Sequence, residues 1–138
     1  MHEMALAEGI LSVVLGASGG ANVRKVDLQV GALQLVVPES LRFSFELVAA
    51  GTPAEGALVT VHETPARLRC RACRSETILL QTPFQCGLCA STDVTVISGD
   101  EVMVESVELD GGELIRRREV AANEILDEHM RQHHAGQS

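Results

Sequence analysis

The chain has no tryptophan and no tyrosine, and its aromatic content is three phenylalanines. Its core must therefore be packed from Val, Leu, Ile and Ala, and the scarcity of rings opposes a protein that binds single strands by stacking bases on aromatic side chains. Basic charge is also short: 11 Lys and Arg stand against 19 Asp and Glu, for a net charge of −8. Binding to a phosphate backbone draws on clustered cations and released counterions, so nucleic acid is not the expected partner. No apolar run is long enough to span a bilayer, and no basic stretch precedes the first apolar segment as in a signal peptide. Membrane insertion and secretion are not expected, and the cytoplasm is the expected compartment.

What is present suits one ordinary domain with room for one small module: 138 residues, 46% of them apolar. Leu6, Ile10, Val13 and Val14 recur at helical spacing from Met4 to about Leu15, and Gly16, Gly19 and Gly20 follow as stop signals. Val26, Leu28 and Val30 then alternate with Lys25, Asp27 and Gln29, the period-two pattern of a half-buried strand. Pro38 opens a second helix carrying Leu41, Phe45 and Val48 on one face, and Gly51 sits where its cap belongs. ALVTVHE reads as a second strand that Pro65 breaks, and DVTVISGDEVMVESVELDG as one or two more around Gly99. The last stretch, residues 113–138, is rich in helix formers with apolar residues at Val120, Ala121, Ile125 and Leu126, and is expected to be an appended C-terminal helix. The fold class is thus α+β, a small mixed three-stranded sheet with two helices.

Four cysteines form two C-x2-C pairs, CRAC and CGLC, twelve residues apart. In a reducing compartment such pairs are metal ligands rather than disulfides, and two short turns at this spacing present Cys70, Cys73, Cys86 and Cys89 to one tetrahedral ion. Zinc is the default for four thiolates, and a closed site leaves no position for a reactive water, so its role is structural. Arg67, Arg69, Arg71 and Arg74 crowd the first pair, where they can offset the negative charge of the centre or present a surface to an acidic partner.

The chain opens MHE. Two readings are open for it: the solvated start of a helix, or a chelate in which the Met1 amine, the His2 amide and the His2 imidazole share one metal with Glu3 as a further donor. A planar nitrogen and oxygen set suits Ni(II) or Cu(II) better than zinc, and its affinity falls as pH drops through a histidine pKa near 6.5.

MHE at the start, PESLRFSFELVAAGT, EGALVTV, and CRAC with CGLC occur in the order found in the HypA/HybF family of hydrogenase nickel-incorporation proteins, which the chain resembles from Met1 to about Leu109. The resemblance implies a nickel metallochaperone: an α/β domain (1–65 and 95–112) that holds nickel through His2 with Met1 and Glu3, and an inserted zinc-ribbon domain (66–94) that holds zinc through Cys70, Cys73, Cys86 and Cys89. It also implies two partners, the HypB GTPase and the precursor of the [NiFe]-hydrogenase large subunit. The chain departs from the family pattern at GALQLVV before Pro38 and in residues 113–138. In that tail His129, His133 and His134 either face water or hold a second ion, and His62 reads as structural or exposed. No phosphate-binding glycine loop or nucleophile motif is found, so an enzyme is not expected. The competing readings are a zinc-ribbon binding module and a thiol redox sensor.

Overall fold

A computed structural model describes residues 2–119, and side chains from Glu3 to Arg116. Its elements are α1 (His2–Ser18), β1 (Val23–Gly31), α2 (Pro38–Ala49), β2 (Leu58–Thr64), β3 (Ala66–Cys70), β4 (Glu76–Leu79), β5 (Val94–Ser98), β6 (Val102–Leu109) and β7 (Leu114–Glu119), with a short 3-10 turn at Ala32–Gln34. They form two sheets, ordered β2-β1-β6-β7 and β4-β3-β5.

The first sheet is mixed: β2 runs parallel to β1, while β6 is antiparallel to both β1 and β7. Its apolar face is covered by the two helices. Leu6, Ile10 and Val14 of α1 and Leu41 and Phe45 of α2 are buried with Val26, Leu28 and Val30 of β1 and Val102, Val104 and Val107 of β6. The periodicity thus marks the buried faces of both helices, with Val13 and Val48 only partly buried. Burying a Val, Leu or Phe is worth about 1.5–3 kcal/mol, so this core is the main source of stability. The first helix runs through Gly16 and ends two residues later, because Gly19 and Gly20 take positive φ values of 58° and 93° that favour glycine.

The expected three-stranded sheet has a fourth strand. Leu114–Glu119, expected as the start of a C-terminal helix, pairs with β6 instead. The cause is the turn before it: Asp110-Gly111-Gly112 closes a hairpin, with Gly112 at φ 90° and its N–H donating to the Leu109 carbonyl at 2.9 Å. Once the chain is reversed, the open edge of β6 supplies a hydrogen-bonded ladder that outweighs helix propensity, and Ile115 packs on the core. The remainder of the expected helix, with His129, His133 and His134, lies outside the described residues.

The second sheet buries little. Besides the buried Cys70 and Cys86, its apolar cluster consists of Ala66 and Leu68 of β3 and Ala32 from before α2, with Leu33, Leu79, Phe84 and Val94 packed against them. Residues 94–98 pair with β3, so they lie in the sheet that carries the cysteines and the change of sheet falls at Gly99. There the backbones touch. A Cβ built on Gly31 would stand 2.1 Å from the Gly99 carbonyl oxygen, and one on Gly99, at φ 103°, would stand 2.4 Å from the Ala66 Cα. Among the described residues no helix is long and apolar enough to cross a membrane.

Candidate metal centre

Both C-x2-C turns are built the same way. The Cys70 N–H donates to the Ser75 carbonyl and the Cys86 N–H to the Ser91 carbonyl, each at 2.9 Å. The Arg74 N–H returns to the Cys70 carbonyl and the Ala90 N–H to the Cys86 carbonyl, again at 2.9 Å. The residue after the second cysteine is left-handed in each, Arg74 at φ 67° and Ala90 at φ 62°. The sequence repeats accordingly, CRACRS and CGLCAS, a likeness that spacing of the cysteines alone passes over.

The turns bring all four sulfurs within 4.8 Å of one another, with Cys73 and Cys86 at 3.5 Å and Cys70 and Cys89 at 3.6 Å. Zinc–thiolate bonds of about 2.3 Å require neighbouring sulfurs about 3.8 Å apart, so the donor set fits one tetrahedral ion of zinc's kind. The first cysteine of each turn is buried and the second exposed. Backbone amides already face the sulfurs: Cys73 N–H reaches Cys70 Sγ, and those of Leu88 and Cys89 reach Cys86 Sγ, each at 3.4 Å.

These donors divide the thiols. The Ser75 hydroxyl, then the amides of Cys89 and Leu88, bring the Cys86 thiol down to about 5, and the Cys73 amide lowers that of Cys70. The Ser91 backbone pulls Cys89 down as well, but shared protons from Cys70 and Cys86 and burial outweigh it and push Cys89 up to about 12. Four sulfurs this close cannot all ionise without a cation among them, which is what a metal supplies.

The arginines that crowd the first turn in sequence are mostly committed to carboxylates. Arg67 and Arg69 bind Glu76 at 3.1 and 3.2 Å, and Arg71 binds Asp93 at 3.3 Å and donates to Thr95 Oγ1 at 3.0 Å. Arg67 first, and Arg69 after it, hold the Glu76 carboxyl below its ordinary range. Sequence reading overlooked this role of Glu76 and Asp93, because the pairs form only once β3, β4 and β5 align.

A left-handed alanine costs about 1 kcal/mol that glycine avoids. Ala90→Gly is therefore expected to raise the stability of the ribbon by about that amount, read as a higher chelator concentration at half-unfolding. A lower midpoint would show that Ala90 is not strained.

At the other expected site, Met1 lies outside the described residues, and His2 opens α1. The Glu3 carboxylate accepts a hydrogen bond from the Val37 N–H at 3.4 Å, which ties the start of α1 to the entry of α2. Val36 and Pro38 beside it line a cleft of about 380 Å³ whose far wall is Leu80, Gln81 and Thr82, after β4. His62 is exposed on β2 opposite Gln29, and the only cluster of metal-donor side chains among the described residues is the four cysteines.

A family model described as "Hydrogenase/urease nickel incorporation, metallochaperone, hypA" matches residues 1–109. The chain belongs to the HypA family. It is 41% identical over 113 residues to hydrogenase maturation factor HypA 2 of Bradyrhizobium diazoefficiens, covering 80% of this chain and 100% of that protein. The match to HypA of Trichormus variabilis is 34% over 110 residues, covering 80% of this chain and 96% of the other. The fold matches the solution structure of the Ni metallochaperone HypA from Helicobacter pylori with a TM-score of 0.54 at 15% identity, over 87% of this chain and 98% of that one. HypA is thus a family of nickel metallochaperones in hydrogenase maturation, and the family match ends at Leu109, before β7.

Proposed function

We propose that this HypA protein carries one Ni(II) ion at its N-terminus, on the Met1 amine, the His2 amide and imidazole and Glu3, and surrenders it to the precursor of the [NiFe]-hydrogenase large subunit with the HypB GTPase as partner. In this reading nickel is cargo and zinc is resident: Cys70, Cys73, Cys86 and Cys89 hold zinc, which keeps the ribbon folded and performs no chemistry. The protein works as a cytoplasmic carrier, not an enzyme.

The observation that carries the reading is the family match beginning at residue 1, which includes the terminal MHE. The geometry supplies a physical reason for joining the two sites. Glu3 is tied to Val37, whose neighbours Val36 and Pro38 form one wall of the cleft that the ribbon closes with Leu80, Gln81 and Thr82. A change in how the ribbon sits therefore alters the surroundings of the terminal ligands. Release follows from proton competition, because the amine and imidazole bind only when deprotonated.

The test is calorimetric Ni(II) titration of tag-free, zinc-loaded protein beside His2→Ala and a variant with one residue added before Met1. Both changes are expected to remove the one-to-one site with zinc content unchanged, and the wild-type affinity is expected to fall as pH drops through about 6.5. Nickel binding that survives both changes would place the ion elsewhere and refute the assignment.

A further inference from the structure

The two cysteine turns share one backbone plan but use their serines differently. The Ser91 hydroxyl accepts the Asp93 N–H at 3.1 Å and touches no sulfur. The Ser75 hydroxyl lies 2.9 Å from Cys73 Sγ and 3.4 Å from Cys86 Sγ, one ligand from each turn. Its position is fixed independently, since the Ser75 carbonyl accepts the Cys70 N–H. When all four sulfurs are thiolates the hydroxyl is the only proton donor in these two contacts, so its O–H must point at sulfur.

We propose that Ser75 is a positioning residue of the zinc site, whose hydroxyl bridges Cys73 and Cys86 and slows loss of the ion. Two effects combine. A hydrogen bond to a ligand atom draws charge from the thiolate and fixes its orientation, which makes the exposed Cys73 sulfur less open to a competing metal or ligand. The same hydroxyl also joins the two turns, so that neither swings away without breaking a contact to the other. Among the described residues it is the one side chain other than the cysteines that hydrogen-bonds a sulfur from each turn. This rests on the assignment of zinc to the four cysteines. In a chain that meets nickel at its terminus, slow exchange at the sulfurs keeps the two ions on separate ligands.

The test mixes zinc-loaded wild-type, Ser75→Ala, Ser75→Thr and Ser91→Ala proteins with a chromophoric chelator and follows zinc transfer, after the zinc content of each has been measured. Ser75→Ala is expected to give up zinc about ten- to a hundredfold faster than wild type, the affinity loss usual when an outer-shell partner of a metal ligand is removed being carried here by the off-rate. Ser75→Thr, which keeps the hydroxyl, and Ser91→Ala are expected to match wild type. In cobalt-substituted protein the sulfur-to-metal charge-transfer band of Ser75→Ala is expected at lower energy, a change that loosened folding would not produce. Failure of Ser75→Ala alone to retain zinc supports the proposal in the same sense. A wild-type rate in Ser75→Ala would overturn it, as would equal acceleration in Ser91→Ala, which would assign the effect to the turns. A wild-type protein without zinc would overturn the zinc assignment and this inference with it, and the metal count taken before mixing tells that failure from the others.

Discussion

Cys86→Ser, or removal of the ion by a chelator, is expected to unfold residues 66–98 and leave the helix-covered sheet folded. The reason is the unequal division of apolar burial. The first core holds Ile10, Val14, Leu28, Phe45 and Val104 among many others, and none of its buried residues comes from β3, β4 or β5. The second core buries only Ala32, Ala66 and Leu68. A segment of this size cannot offset its chain entropy with so little, and below roughly 40 residues a metal or cross-link is the usual remedy. A structural zinc site contributes on the order of 10 kcal/mol, far more than those three side chains. The measurement is amide hydrogen exchange with and without chelator. Protection should vanish in β3, β4 and β5 and persist in β1 and β6. Continued protection of β3 without metal would mean that packing, not the ion, holds the ribbon.

The second large effect is expected where the sheets meet. Gly31→Ala places a methyl 2.1 Å from the Gly99 carbonyl oxygen, and Gly99→Ala places one 2.4 Å from the Ala66 Cα in a left-handed backbone. In both cases the obstacle is backbone, which cannot turn aside as a side chain does. Overpacking and backbone strain each cost about 1–3 kcal/mol, so Gly99→Ala should lose about 2–6 kcal/mol and Gly31→Ala, which carries only the first, less. At this chain length that corresponds to a fall in Tm of roughly 10 °C or more for Gly99→Ala. Gly16→Ala is the internal control. Its methyl meets nothing within 4 Å inside α1, and replacing a helical glycine should stabilise by about 0.5–1 kcal/mol. Thermal melts of the three variants decide the matter: a Gly99→Ala midpoint equal to wild type would show that the junction yields freely.

The elements that were legible in sequence are those whose pattern is local. The cysteine pairs declare their own geometry through spacing, and α2 is announced by Pro38 at its first turn and Gly51, at φ 79°, just beyond its end. What was not legible depends on a partner. β7 is made of Leu-Ile-Arg-Arg-Arg-Glu, in which only Ile115 favours a strand before the edge of β6 lies beside it. In β3, Ala66, Leu68 and Cys70 face inward and Arg67 and Arg69 outward, a period-two pattern that the arginines present as a cluster of charge. The contact between Gly31 and Gly99 joins residues far apart in the chain, and no spacing rule reports it. Ser75 was hidden for a different reason: its likeness to Ser91 is plain in CRACRS and CGLCAS, but only the fold separates the hydroxyl that meets sulfur from the one that does not.

The sheet order has a consequence for how such a chain can be assembled. Thr64 at the end of β2 lies level with Gly31, and Val102 at the start of β6 lies level with Val30, on opposite sides of β1. Two strand spacings separate them, about 10 Å, a gap that roughly three residues can bridge. The chain leaves the first sheet and returns to it through a doorway only one strand wide. A module of different size or metal can therefore be exchanged there, as a loop would be, without altering the pairing of β2, β1 and β6.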